Sequence, residues 1–173
     1  GQCDFAGSLA VLQHAGISRT ALWTPMVESC GIAEARRIWN DSDMVAESLC
    51  VARLFEGEVA LRNRLDLADM FGARTLVLIT GGFEDLATTG YSGDIEHARS
   101  LLVDRLGAAA ELAANYQVRL AFEPLHPMVC GFRSVVTSLG EALDILDQLD
   151  DGHDIGLAID AYALWWEHDL QAK

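Results

Sequence analysis

Lysine is almost missing from this chain. Lys173 is the sole lysine among 173 residues, every other basic side chain is arginine, and 26 acidic residues against 12 basic ones leave a formal net charge of −14. A terminal lysine is a poor Schiff-base nucleophile, and so acid a surface repels polyanions, which argues against nucleic-acid partners and for solubility. Cysteine is sparse too. Cys3, Cys30, Cys50 and Cys130 lie far apart without CxxC spacing, a pattern of reduced thiols in a cytoplasmic protein rather than of a zinc knuckle or a disulfide framework. No apolar run approaches the roughly 18 residues a membrane helix needs, and the start shows no basic region leading into an apolar one. Nor does a proline-, glycine- or serine-rich linker divide the chain. Residues 1–173 are therefore expected to form one domain, and a content of 51% apolar residues with mean hydropathy +0.19 is enough for a core.

What is present is an alternation. Asp4 to Ala15 has helical apolar spacing with Asp4 as N-cap and Gly16 as stop, and Ile17 to Trp23 reads as a strand. A helix over Ile32–Trp39, a strand over Val45–Val51 and a helix over Val59–Phe71 closed by Gly72 follow. Thr75–Thr80 (TLVLIT) is apolar on both faces, as a parallel strand covered by helices must be. Asp94 to Tyr116 carries one long helical stripe, Ser138 and Glu141 form a capping box for the next helix, and another helix is expected to begin at HDLQAK. Five strand candidates alternating with helices imply a parallel sheet, either a (β/α) barrel or an open doubly wound sheet.

Two strands share an unusual ending. Arg119–Glu123 (RLAFE) and Gly156–Asp160 (GLAID) run through apolar residues and finish on a carboxylate as last strand residue. A buried carboxylate is costly, so one at a strand terminus faces a polar pocket, a metal or a helix end, or pairs with arginine. If the strands are parallel neighbours, Glu123 and Asp160 reach the same edge of the sheet.

The segment Leu120–Leu170, with EPLHP, FRSVV and DAYALWWEHDL in order, resembles the sugar phosphate isomerase/epimerase family of xylose isomerase-like TIM barrels. Weaker similarity runs upstream through ALW at 21–23, GIAEARRI at 31–38, SLC at 48–50 and TLVLITGG at 75–82. The resemblance implies an eight-stranded barrel of which this chain holds about five to six βα units, an incomplete barrel with a first strand before Gly1 and further strands after Lys173. It implies a divalent metal, Mn, Mg, Co or Zn, held by a Glu, an Asp, a His and a second Glu. Glu123 matches the first Glu and Asp160 the Asp, and the remaining two have no counterpart. A pocket histidine three residues after the Asp is replaced by Ala163.

The function so implied is a metal-dependent isomerase or epimerase for a small keto sugar, sugar phosphate, inosose or hydroxypyruvate-like compound, working by enediolate-type proton transfer. Glu123 is the expected acid or base as well as a ligand, and Asp160 a ligand. His126, Arg133 and Trp165 are the expected substrate contacts, each with a plainer role as loop residue, ion-pair partner or packing group. Trp166 and Trp23 stay ambiguous, and Gly81–Gly82 reads as a tight turn rather than a phosphate loop. Two other readings stand beside this one: a degenerate barrel that binds a ligand or partner without turnover, and an abasic-site endonuclease-like metal hydrolase. Unpaired strand edges would favour a homo-oligomer.

Overall fold

The fold was taken from a computed structural model, which describes residues 4–87, 93–149, 152–167 and 170. Five strands form one sheet in the order β1-β2-β3-β4-β5, where β1 is Arg19–Trp23, β2 Val45–Arg53, β3 Thr75–Ile79, β4 Arg119–Phe122 and β5 Ile155–Leu157. Every neighbouring pair is parallel. The order never reverses, so there is no switch point of the doubly wound kind, and the sheet is a five-stranded arc of a (β/α) barrel.

The register explains how the core is built. Leu22, Leu49, Leu76, Leu120 and Ile155 are successive partners across all five strands, and the four leucines are at most 3% exposed. This aliphatic row is covered by α4 (Glu58–Phe71), whose Leu61, Leu65, Ala68 and Phe71 are buried, and by α7 (Leu102–Ala114), whose Leu102, Leu106, Ala109 and Ala113 are buried. One residue further along each strand the side chains turn to the opposite face, since strand period is two. That second row runs Trp23, Cys50, Val77, Ala121 and Gly156. Glu123 lies two residues beyond Ala121 and so belongs to its face.

The remaining helices are α1 (Phe5–His14), α2 (Thr24–Cys30), α3 (Ile32–Asn40), α5 (Phe83–Ala87), α6 (Ile95–Ser100), α8 (Leu139–Leu146) and α9 (Ala161–Leu164). Asp4 caps α1 by accepting the Gly7 N–H at 2.6 Å. Gly72 closes α4 in the left-handed conformation that glycine adopts most easily. The capping serine of α8 accepts the Glu141 N–H at 3.1 Å, whereas the Glu141 carboxylate reaches past Ser138 to the Thr137 N–H at 2.9 Å.

Two expectations need correction. The stripe from Asp94 to Tyr116 is two helices, α6 and α7, divided at Leu101. There the Ser100 hydroxyl donates back to the His97 carbonyl at 2.8 Å, a local bond that competes with the helical ladder. Between β1 and α3 the chain forms α2, begun by Pro25 in the first turn, where its missing N–H costs nothing. The carboxylates are not the last residues of their strands. Glu123 follows β4 by one residue, its N–H still bonded to the Leu78 carbonyl at 2.9 Å, and Asp160 follows β5 by three. The helix expected at HDLQAK lies outside the described residues, apart from Leu170, as does Cys3.

Candidate active site

Because β4 and β5 are parallel neighbours, the loops after them leave the sheet at the same edge, the C-terminal end of the strands. Glu123 opens the first loop and Asp160 the turn into α9. Asp160 is the N-cap of α9, its Oδ1 accepting the Tyr162 N–H at 2.8 Å, and that bond is what turns the chain out of the strand direction before the short helix.

Burial pushes the Glu123 carboxyl above its ordinary value, the nearby charge of Asp160 pushes it further, and Arg133 pulls it partly back. A carboxylate whose ionisation a second carboxylate opposes is unfavourable unless a proton or a cation sits between them. Cys50 shares the neighbourhood. Burial raises its thiol above the usual value, the Ser48 hydroxyl 3.8 Å away lowers it, and the charge of Glu123 raises it again. Cys50, Glu123, Asp160 and Arg133, drawn from β2 and the loops after β4 and β5, therefore form one electrostatic cluster.

The donor set fits a divalent cation in part. Glu123 and Asp160 offer hard oxygens of the kind that Mg²⁺, Mn²⁺, Co²⁺ and Zn²⁺ all accept, and Asp160 keeps one oxygen outside its cap bond. Among the described residues no three His, Cys, Asp or Glu side chains converge as a metal-holding group.

The loop after β4 is held by three fixings. His126 accepts the Met128 N–H on Nδ1 at 3.2 Å and caps a 3₁₀ turn over Pro127–Val129. The Phe83 N–H donates to the Gly131 carbonyl at 2.8 Å, and Gly82 lies so close to the Gly131–Phe132 backbone that no side chain fits there. Thr80 and Ser134, both fully buried, join the end of β3 to the same loop. The Thr80 hydroxyl accepts the Val135 N–H at 2.9 Å, and Ser134 bonds both the N–H and the carbonyl of Val136. Gly82 is thus a point of close backbone packing against the loop after β4.

Of the expected substrate contacts, Arg133 is exposed and adjoins Glu123 electrostatically. His126 is half-buried, and its ring stands edge-on to Trp166, with centroids 6.2 Å apart at 74°. Trp165 is 71% exposed and, three residues after the 83%-exposed Tyr162, falls on the same side of the α9 turn. Ala163, where the resemblance expects a polar pocket group, is buried at 3% exposure in an apolar cluster with Leu139 and Leu164. Sequence reasoning missed Cys50, the Thr80–Ser134 clasp and the choice of Trp166 as the neighbour of His126. Strand parity between Cys50 and Ala121 was the one signal for the first, and it needs the register to be read.

A family model described as xylose isomerase-like TIM barrel matches residues 59–173, two thirds of the chain. The chain belongs to that family. No curated protein matches it. Among solved structures, this xylose isomerase-like barrel superposes on a Sinorhizobium meliloti 1021 protein with TM-score 0.82 and 35% identity, over 99% of this chain and 63% of that one. The IOLI protein with a bound zinc atom gives TM-score 0.69 at 14% identity over 93% of this chain and 59% of that one. The 3-keto-D-glucoside 4-epimerase YcjR from E. coli gives 0.72 at 13% over 99% and 68%. The chain spans about three fifths of the first two structures' lengths. At those identities the last two attest the barrel fold alone. Among the described residues of this family member no helix is long and apolar enough to cross a membrane.

Proposed function

We propose that this chain carries two metal ligands and the proton-transferring carboxylate of a cytoplasmic, divalent-metal-dependent sugar isomerase or epimerase. One observation carries the reading: Glu123 and Asp160 come from adjacent parallel strands to one edge of a barrel sheet, close enough for the charge of Asp160 to raise the Glu123 carboxyl. Active sites of this fold lie at that edge. The metal, one of Mg²⁺, Mn²⁺, Co²⁺ or Zn²⁺, supplies polarisation of a substrate carbonyl and its neighbouring hydroxyl, which acidifies the C–H between them.

Glu123 and Asp160 would hold it. A carboxylate whose conjugate acid is poised above its ordinary range takes a proton from carbon more readily, and the proton then returns to the enediolate, at the neighbouring carbon in an isomerase or at the same carbon in an epimerase. Arg133 tempers that basicity and offers a guanidinium to a substrate oxygen. Trp165 offers a flat face to sugar C–H groups beside Asp160. The substrate class is a small keto sugar, sugar phosphate, inosose or hydroxypyruvate-like compound, and two of the structural relatives support it: one is a 3-keto-glucoside epimerase and another a D-allulose epimerase.

The test uses the purified protein, stripped with EDTA, reloaded with Mn²⁺ and incubated in D₂O with D-fructose, D-allulose, D-tagatose, 2-keto-myo-inositol and hydroxypyruvate. Deuterium should enter next to the carbonyl of at least one of them, and E123Q and D160N should abolish the exchange. Exchange that survives both substitutions refutes the reading. Cleavage of an abasic DNA duplex in place of exchange would make the protein an endonuclease.

A further inference from the structure

The imidazole of His126 is fixed from two sides, and each fixing has a chemical consequence. Its Nδ1 accepts the Met128 N–H at 3.2 Å. A nitrogen that accepts carries no proton, so a neutral ring bonded this way has its proton on Nε2. The ring also stands edge-on to Trp166, and the Trp166 indole is itself pinned, its Nε1–H donating to the Ala163 carbonyl at 2.9 Å. Ala163 is buried, so this carbonyl is a rigid anchor. The chain of contacts runs from the loop that Glu123 opens to the helix that Asp160 caps. It leaves Nε2 without a hydrogen-bond partner among the described residues.

We infer that His126 is held as the Nε2–H tautomer and donates that proton to an acceptor oxygen, ketone or hydroxyl, of the substrate bound beside Glu123 and Asp160. The inference rests on the isomerase or epimerase reading for its substrate and on the hydrogen bonds alone for its tautomer. A donor in fixed orientation reads the position of one oxygen without taking the base role assigned to Glu123, and its pre-organisation means that little rotamer freedom is lost on binding. The plainer alternative is that His126 only caps the Pro127–Val129 turn.

Two substitutions separate these roles, because amide side chains mimic the two ring nitrogens unequally. Asn at 126 places a carbonyl oxygen near the Nδ1 position and keeps the cap while losing the outer donor. Gln extends its amide N–H toward the Nε2 position and keeps the donor while losing the cap. On whichever ketose of the panel exchanges, H126N should retain the wild-type melting temperature and lose about tenfold or more in kcat/KM, and H126Q should recover part of that loss. The reverse order, an active H126N and an impaired H126Q, overturns the donor role.

Independently, long-range ¹H–¹⁵N correlation on histidine-labelled protein at pH 8 should show Nδ1 bare and Nε2 protonated at His126. A protonated Nδ1 overturns the tautomer. If no ketose exchanges at all, the functional reading falls and takes the substrate contact with it, while the NMR result still decides the tautomer.

Discussion

Replacing Gly82 by alanine should loosen the C-terminal edge of the sheet and cost stability in a predictable amount. A Cβ at this position would meet the Phe132 carbonyl inside van der Waals contact, the Phe132 carbonyl carbon at 2.5 Å and the Gly131 oxygen at 2.7 Å. All three atoms are backbone, so no rotamer change makes room, and the loop carrying Phe132 has to move. Overpacking of this kind costs about 1–3 kcal/mol. The movement also breaks the bond from the Phe83 N–H to the Gly131 carbonyl, worth about 1 kcal/mol. The sum is about 2–4 kcal/mol, or a fall of roughly 4–16 °C in Tm for a chain of this size. Urea titration followed by far-UV circular dichroism measures the loss as a shift in midpoint at unchanged slope. G152A is the matched control, because an added Cβ there meets nothing within 4 Å. If G82A and G152A both stay within about 0.5 kcal/mol of wild type, the close approach of the two loops is refuted.

Further consequences follow from burial and charge. T80V leaves the Val135 N–H without its acceptor in a buried place and should cost about 1–3 kcal/mol, while T80S keeps the oxygen and should recover most of it; equal midpoints for the two variants would count against the clasp. L76A removes the central member of the aliphatic row and should cost about 2–5 kcal/mol in the same titration. The raised Glu123 carboxyl gives a pH signature in metal-free protein. Its folded value lies above the unfolded value of about 4.3, so the folded state holds this proton more tightly and stability is lost as pH rises through the folded value. E123Q in EDTA should therefore melt higher than wild type at pH 8, with the gap narrowing as pH falls toward 4; a lower melting temperature at pH 8 would contradict the assignment of burial and repulsion as causes.

The barrel was legible in the chain because strands recur between helices and the central one is a continuous apolar run. A parallel strand such as Thr75–Ile79, buried from Leu76 on, cannot alternate polar and apolar residues, so TLVLI announced its environment directly. The pairing of Glu123 with Asp160 was legible for the same reason, each being the first charge after such a run. What stayed hidden depends on distances between segments remote in sequence. Nothing in the string GGFED tells that Gly82 abuts Phe132, 50 residues on by numbering. Thr80 and Ser134 look like ordinary loop polars until their burial is known. WW at 165–166 offers two candidates for one contact, and only the turn of α9 assigns Trp166 to His126 and leaves Trp165 to solvent. The break at Leu101 was hidden because a side chain competing for a backbone carbonyl leaves the apolar stripe intact.

Under the proposed function Asp160 would serve two partners with one carboxylate. One oxygen holds the first turn of α9 by its Tyr162 N–H, and that turn carries the Ala163 carbonyl to which the Trp166 indole is tied. If the proposed cation draws on the same carboxylate it would pull against the cap, and through these two hydrogen bonds the pull would reach the Trp166 indole. On that reading, metal added to the EDTA-stripped protein should change the emission of Trp166, a gauge that needs neither label nor substrate.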